Sequence, residues 1–244
     1  MVATTAPNRH GWQSLLDFYA TSIDRMDNVE IRLETAAGRN RLAGFDHVVV
    51  AIGSEEVLPD LPGIDGVLSS SRFIAQGTSS PAPAAVVIVD DGFGWWPCAS
   101  AVETAVVAGC KSVIVLTPAA SFGARLPPEG HVQLMARLRG APLEIRPVTS
   151  VESIAATLLT TRNLLSGQIA ELAADLVVVV GERRARAWEP LVPAGPGIHV
   201  IGDAVVPRRA HHAIAEGRAA GRELSGAVRG LGDQRENLAV GYRR

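Results

Sequence analysis

Gly202 and Asp203, near the end of the chain, have the residue types and the position to bind a polar ligand. They follow the apolar run GIHVI, which begins at Gly197, and a segment rich in small residues continues to Gly221. The pattern predicts a buried strand, a turn and a helix. An aspartate there can accept hydrogen bonds from sugar hydroxyl groups, and the amides of a helix N-terminus favour an anion. The alternative is an aspartate that caps the helix, and the two roles can coexist.

A second candidate site follows the apolar stretch Val86–Val89. Its loop, DDGFGWWP, places Gly92, Gly94 and Pro97 at the three positions of a G-x-G-x-x-G motif. In that motif the second glycine lets a pyrophosphate approach the backbone, and the third allows close packing of helix on strand. Proline does not reproduce the packing role, and the next strand, VIVLTPAASFG, offers no acidic residue for a ribose. We interpret the loop as a dinucleotide fold that has lost its ligand or keeps only an adenylate; the alternative is a working nicotinamide site.

Two further apolar runs end in glycine. VVVAIGS, at residues 48–54, predicts a buried strand with Ile52 and Gly53 at its end, and ADLVVVVGE, at residues 174–182, predicts another. Neither is specific for a function when taken alone. A basic cluster lies just behind Asp203 and could contact a phosphate, face another subunit or be solvated: Arg208, Arg209, His211 and His212.

Composition excludes several classes of function. The 244 residues are 47% hydrophobic with a formal net charge of −2, so no global basic field would attract nucleic acid. No apolar run reaches the length needed to span a membrane, and the first residues lack the apolar core of a signal peptide. We therefore expect a cytoplasmic protein. The spacing of Cys98 and Cys110 is not that of a metal site, which predicts two buried thiols, and we predict neither a metal site nor a catalytic residue in this chain.

The order of the elements predicts an α/β protein of two Rossmann-like three-layer units, the second inserted in the first. An amphipathic helix is expected at Gly11–Met26 and a strand at Asn28–Thr35, and a linker rich in Ser, Pro and Ala follows at residues 78–85. The predicted division is a flexible arm (1–10), part of a flavin domain (11–77), an inserted unit of the NAD(P)-domain type (84–182), the closing flavin-domain segment (183–225) and a C-terminal tail (226–244).

The ordered set VVVAIGS, DDGFGWWPCASAVE, ADLVVVVG and GIHVIGDAVVPRRAHHAIAEGRAAG resembles the C-terminal half of large flavoproteins. These form the trimethylamine dehydrogenase and 2,4-dienoyl-CoA reductase group, whose N-terminal half is an Old Yellow Enzyme-like barrel. The resemblance covers about residues 11–225. VVVAIGS is similar to the A-T-G strand of that family, with Ile52 in place of Thr, and GIHVIGDA is similar to its Gly-Asp flavin motif.

The resemblance implies a cofactor site and a missing part. Gly202, Asp203, Ile52 and Gly53 would line a site for FAD or for ADP, and Gly92 and Gly94 would mark the second nucleotide loop. The family's FMN, catalytic groups and iron–sulfur cysteines belong to the barrel, which has no counterpart in this sequence. The first βαβ of the flavin domain, with its G-x-G-x-x-G, has none either. We therefore expect a larger partner subunit that carries the barrel and completes the sheet.

The function expected from these features is that of a small, non-catalytic nucleotide-binding subunit in a heteromeric, electron-transferring flavoprotein oxidoreductase. FAD or ADP would lie at the junction with the partner, and FMN would lie in the partner, which would oxidise an amine or reduce an enone. Two alternatives stay open. One is a reductase subunit that accepts hydride from NAD(P)H at the Gly92–Pro97 loop, and the other is a scaffold subunit that binds nothing.

Overall fold

The structure is a computed structural model, and it describes residues 2–78, 80–192 and 197–226. The predicted C-terminal tail therefore lies outside the described residues beyond Gly226. No described helix is both long and apolar enough to cross a bilayer. The elements, in chain order, are α1 (Val2–Thr5), α2 (Gly11–Asp24), α3 (Arg39–Leu42), β1 (Val48–Val50), β2 (Ser54–Val57), β3 (Leu68–Ser69), α4 (Ser70–Gln76), β4 (Ala85–Val89), α5 (Trp96–Val107), β5 (Ser112–Leu116), α6 (Pro128–Arg137), β6 (Leu143–Arg146), β7 (Thr149–Ala155), β8 (Leu158–Asn163), β9 (Ile169–Ala173), β10 (Leu176–Val179), β11 (Glu182–Ala185), β12 (Ile198–Val200) and α7 (Ala210–Leu224).

The predicted α/β class is confirmed, and the chain forms two compact units. Unit 1 comprises Met1–Ile31 and Glu56–Glu182, and unit 2 comprises Arg32–Glu55 and Arg183–Arg244. The chain crosses between the units inside β2 and inside β11, and these two strands form a small sheet of their own. One boundary between the units follows residue 182. Residues 1–31 and 56–77 belong to unit 1 together with residues 84–182.

Unit 1 is built on a five-stranded parallel sheet in the order β3-β10-β4-β5-β6. Its strands are near-continuous Val/Ile/Leu runs because both faces of the sheet are covered. One face packs against α4, α5 and α6, and the other packs against an antiparallel meander, β7-β8-β9. Cys98 and Cys110 are both buried free thiols, as predicted. From the sequence alone, residues 151–163 of this meander indicate no more than a strand followed by a turn.

The segment 1–10, expected as a flexible arm, is folded onto unit 1. Ala6 is buried in the core that contains α5, and the Asn8 side-chain amide donates to Glu103 Oε1 at 3.0 Å. The Arg9 guanidinium lies 3.3 Å from the centroid of the Trp96 ring, and burial lowers the pKa of Arg9. The prediction failed because polar residues that bind to distant partners leave no periodic pattern in the sequence.

The strand expected at Asn28–Thr35 is absent, because the described residues offer it no partner strand. Its alternating apolar side chains are open to solvent: Val29 is 44% exposed, Ile31 59% and Leu33 80%. The neighbouring prediction of a helix from Gly11 is confirmed, with an end at Asp24 instead of Met26. That helix buries none of its residues.

Unit 2 has little core of its own. β1 and β12 form a parallel pair in which Val49 lies opposite His199, and α7 follows at the end of the described chain. Neither of the large hydrophobic clusters contains a residue of unit 2. Within its described residues, the buried hydrophobic side chains are Val50, Val192, Ala204 and Ala220. The large exposed ones include Phe45, Val49, Ile52, Leu191, Val205, Val206 and Leu224.

Candidate functional site

The Gly202–Asp203 turn is the best-defined polar site of unit 2. After β12 the chain enters a 3-10 helix, Gly202–Ala204, and Gly202 is buried with a φ of +64°. A Cβ at this position would lie 3.4 Å from the Ala213 side chain, which is an ordinary contact. The backbone angle, and not the space, is therefore what requires glycine here. The next residue, Asp203, contacts Ser54, the first residue of β2.

Asp203 is held by two hydrogen bonds from its own unit. Its Oδ2 accepts from Ser54 Oγ at 3.0 Å, and its Oδ1 accepts from the backbone N–H of Arg208 at 3.0 Å. The Arg183 guanidinium donates to Ser54 Oγ at 2.8 Å and to the Ser54 carbonyl at 3.1 Å. The Ser54 hydroxyl thus links a guanidinium to a carboxylate. An ionised carboxylate has about four acceptor positions, so Asp203 can still accept a bond from a ligand.

Glu216 of α7 completes this network. Its Oε2 accepts from the backbone N–H of Gly202 at 2.6 Å, and its Oε1 accepts from Arg208 Nη2. The Gly202 amide therefore serves the chain's own carboxylate and is not a donor for a ligand in this arrangement. We refer to Gly202, Asp203, Ser54, Arg183, Arg208 and Glu216 together as the Asp203 network.

The other residues predicted on this side are placed next to the network. Ile52 is 38% exposed, and Gly53, with a φ of +75°, lies between it and Ser54. Sequence reasoning named Gly202, Asp203, Ile52 and Gly53 but missed Ser54, Arg183 and Glu216 as members of the site. The position of Ser54, directly after Gly53, could have indicated it. Arg183 lies 129 positions from Ser54 and Glu216 lies 14 positions from Gly202, and no local pattern marks either residue.

In unit 1 the space next to the two loop glycines is occupied by other residues of the chain. A Cβ at Gly92 would lie 2.8 Å from Pro118 Cγ, and a Cβ at Gly94 would lie 2.9 Å from the backbone N of Ala124. The N–H of Arg125 donates to the Gly94 carbonyl at 3.1 Å. In a dinucleotide site the second glycine admits a pyrophosphate, whereas here the same freedom admits the loop that follows β5. Gly92 and Gly94 belong to unit 1, whereas the residues of the Asp203 network belong to unit 2.

Two carboxylates at the start of this loop would also repel an anionic ligand electrostatically. Asp90 is 4% exposed and accepts from Thr117 Oγ1 at 2.7 Å, and Asp91 accepts from the Phe93 N–H at 2.9 Å. Partial burial and the charge of Asp90 raise the pKa of Asp91 to about 6. Burial, with Asp90 nearby, also raises the pKa of the Cys98 thiol well above its usual range. A pyrophosphate would therefore meet negative charge and filled space together.

We therefore expect no measurable binding of NADH or NADPH by this chain. The physical reasons are the contacts of Gly92 and Gly94 with the following loop and the carboxylates of Asp90 and Asp91. The measurement is titration calorimetry with each dinucleotide on the purified protein in complex with its partner. ADP serves as the control ligand, since the proposed nucleotide site would take it. A micromolar dissociation constant for NADH, bound by this chain, would overturn the expectation.

Asp91→Asn should change how stability depends on pH. The folded pKa of Asp91 lies above its ordinary value of 3.8, so its charged form is disfavoured by folding. The contribution of this carboxyl to stability is fully present below about pH 4 and is lost as the pH rises through about 6. At pH 8 the variant should therefore exceed the wild type in free energy of unfolding, by less than about 1 kcal/mol, because the side chain is only partly buried and solvent screens its charge. Asn keeps the acceptor that the Phe93 N–H needs.

The measurement for Asp91→Asn is urea unfolding at pH 8 and at pH 4, followed by tryptophan fluorescence, with Asp60→Asn as the matched control on another exposed loop. The variant's advantage should vanish at pH 4, and the control should show no such change. An advantage of equal size at both pH values would contradict the assignment.

No protein-family model matches the chain. Among solved structures, it is similar to the 6-hydroxypseudooxynicotine amine oxidase from Pseudomonas geniculata N1, at 25% identity and a TM-score of 0.75 over 90% of this chain and 35% of that one. It is also similar to the histamine dehydrogenase from Rhizobium sp. 4-9, at 22% identity and a TM-score of 0.79 over 96% and 39% of the two chains. A third similar structure is a 2-naphthoyl-CoA reductase, at 19% identity and a TM-score of 0.78 over 90% and 33%. The chain thus spans about a third to two fifths of the length of these structures and shares the fold of that portion.

Proposed function

We propose that this chain is a nucleotide-binding subunit of a heteromeric flavin-dependent oxidoreductase. It holds FAD or ADP at the Asp203 network, and it supplies no catalytic residue. A larger partner holds FMN in an Old Yellow Enzyme-like barrel and oxidises an amine or reduces an enone. The observation that carries the proposal is the match of nine tenths of the chain to part of an amine oxidase and of a 2-naphthoyl-CoA reductase.

The Asp203 network supports a nucleotide as the ligand in one respect and opposes it in another. Asp203 keeps free acceptor positions for sugar hydroxyl groups, and Arg183 and Arg208 offset the charges of Asp203 and Glu216 nearby. The first turn of α7 presents amides that an anion can approach. The Gly202 amide, by contrast, is already bonded to Glu216. Asp203 would therefore hold ribityl or ribose hydroxyl groups, and Ile52 and Gly53 would line the site. When bound, FAD supplies electron transfer, whereas ADP supplies only binding energy.

Exposed apolar surface supports the proposal that a partner subunit binds this chain. The helix α2 presents Trp12, Phe18 and Tyr19 to solvent, and the segment 28–35 presents alternating apolar side chains without a partner strand. Soluble chains seldom expose such surface unless another polypeptide covers it. Among the described residues β1 and β12 pair only with each other, so each has an outer edge that a strand of the partner could join. We propose that the partner covers α2 and the segment 206–221 and adds to the sheet of unit 2.

Two other functions follow from specific features. A subunit that accepts hydride from NAD(P)H would need the Gly92–Pro97 loop to hold a pyrophosphate, which the contacts of Gly94 with Ala124 disfavour. A scaffold subunit without ligand is favoured by the internal bonds of the Asp203 network, because they satisfy Gly202 and much of Asp203 without a ligand. These alternatives differ from the proposal in what the purified complex would contain.

The experiment is to co-express the chain with the product of its neighbouring gene and to analyse the purified complex by visible absorbance and by mass spectrometry of extracted nucleotides. FAD or ADP in addition to FMN, with no bleaching by NADH, supports the proposal. Bleaching of the flavin by NADH supports the reductase subunit. A complex that contains FMN but no second nucleotide supports the scaffold.

A further inference from the structure

Two histidines that are far apart in the sequence meet on one face of the β1–β12 pair. His47 directly precedes β1, and His199 lies in β12 opposite Val49. His47 Nδ1 and His199 Nε2 are 3.4 Å apart, with ring centroids separated by 5.5 Å and planes inclined at 48°. Because side chains alternate along a strand, His47 and Val49 share a face, and that face is open, with Val49 41% exposed.

The backbone of Gly197 makes room for this arrangement. Gly197 pairs next to β1, where the Val48 N–H donates to its carbonyl at 2.9 Å, and it has a φ of +91°. A Cβ at Gly197 would lie 3.0 Å from His47 Nδ1 and 2.4 Å from the Asp46 carbonyl. Any larger residue would collide with the Asp46 backbone and crowd the His47 ring, so glycine permits the close approach of the two segments.

The two nitrogens make a long hydrogen bond whose direction depends on the tautomer, and the same separation fits two ligands of one metal ion. Hydrogen bonds with N–H donors usually span about 2.7–3.2 Å between heavy atoms, so 3.4 Å is long for one. Two imidazole nitrogens that each lie 2.0–2.1 Å from a tetrahedral zinc ion are separated by about 3.3–3.4 Å. The observed separation equals that edge.

We propose that His47 Nδ1 and His199 Nε2 form a two-imidazole chelate for a divalent transition metal of the zinc, nickel and copper class. Neutral imidazole is a good ligand for these ions. Among the described residues no third His, Cys, Asp or Glu joins the pair, so water takes the remaining coordination positions. The sequence predicted no metal site, because its two ligands are separated by 152 positions and form no motif.

The metal would act as a clip within unit 2. It would link the residue before β1 to a residue of β12. These two strands are otherwise joined by a short register of backbone hydrogen bonds. Since the described part of unit 2 buries few hydrophobic side chains, a ligand that binds only the paired strands should raise its stability. The chelate is independent of any nucleotide at Asp203.

A second histidine pair provides the matched control. His211 and His212 are neighbours at the start of α7, and their rings stack with centroids 3.9 Å apart and planes inclined at 33°. Stacked rings direct their nitrogen lone pairs past one another instead of towards a common point. This pair should therefore contribute little to metal binding, although it has the same number of imidazoles in the same unit.

The experiment is calorimetric titration of the chain in its purified complex with the partner, freed of any polyhistidine tag, with Ni²⁺ and with Zn²⁺, alongside thermal unfolding of that complex with and without Zn²⁺; each histidine variant is compared with the wild type in the same complex. The wild type should bind a single ion and unfold at higher temperature with it. His47→Gln and His199→Gln should each weaken binding by at least about tenfold and abolish the shift. The combined change of His211 and His212 to Gln should alter neither. Absence of binding by the wild type, equal binding after removal of both His47 and His199, or loss of binding in the His211 and His212 variant would overturn the chelate.

Discussion

Produced without a second polypeptide, this chain is expected to aggregate or to stay partly unfolded in unit 2, whereas unit 1 should fold. Unit 1 has a five-stranded sheet with a hydrophobic cluster on each face. The described part of unit 2 has a two-stranded sheet and few buried hydrophobic side chains. Covering about 400 Å² of apolar surface is worth roughly 10 kcal/mol at the usual coefficient. That is comparable to the whole stability of a domain.

Hydrogen exchange followed by mass spectrometry checks this prediction unit by unit. Amides of β4, β5 and β10 should be protected in the chain alone, and amides of β1, β12 and α7 should become protected only in the complex. A soluble monomer with a single sharp thermal transition and uniform protection, without any partner, would refute the need for a second chain.

Substitutions on the exposed surface locate the contact. Phe18→Asp in α2 and Val206→Asp before α7 should weaken the complex strongly, since both side chains are exposed and would be buried by the partner. The permanent contact proposed here should bury more than about 2,000 Å². Val132→Asp is the matched control, because Val132 is 69% exposed on α6 and lies outside the proposed contact. Equal effects of all three substitutions on assembly would count against the assigned surface.

Asp203→Ala should cause the complex to lose its nucleotide. A charge-assisted hydrogen bond to a ligand hydroxyl contributes about 1–3 kcal/mol, which corresponds to roughly five- to 150-fold in the dissociation constant. The substitution also removes the acceptor for Ser54 Oγ and for the Arg208 N–H, so part of its effect is structural. Binding and stability must therefore be measured on the same preparations.

Ser54→Ala separates the two effects of Asp203. It deletes an internal partner of the carboxylate and of Arg183 but leaves the carboxylate itself for a ligand. We expect Ser54→Ala to lower thermal stability while most of the nucleotide is retained, and Asp203→Ala to lower both. Nucleotide content after gel filtration and the unfolding temperature are the two measurements. Equal retention by wild type and Asp203→Ala would remove Asp203 from the site.

Continuous apolar runs and the residues that flank them made much of unit 1 predictable from the sequence. The runs at β4, β5 and β10 are continuous Val/Ile/Leu stretches, and α5 starts near Pro97, so length and flanking residues were sufficient to assign them. The Gly202–Asp203 turn was predictable for the same reason, since a strand of apolar residues ends there and only glycine tolerates the observed φ.

What the sequence did not reveal depends on contacts between distant residues. The meander β7–β9 has a mixed composition, TSVESIA and IAELA, and its pairing is set by the sheet that it covers. Asn8 and Arg9 are bound by Glu103 and Trp96, nearly a hundred positions away. The hydrogen bond from the Gly202 amide to Glu216 forms because α7 packs next to the Gly202 turn, and no sequence spacing predicts it.

The identity of the nucleotide in the purified complex tests the central proposal most directly. The complex of the wild-type chain with its partner and the matching complex with Asp203→Ala should be denatured, and the released nucleotides quantified by mass spectrometry. The account predicts FAD or ADP in addition to FMN in the wild-type complex, and loss of that second nucleotide, but not of FMN, in the variant. A wild-type complex that releases no adenine nucleotide, or a variant that retains all of it, would contradict the account.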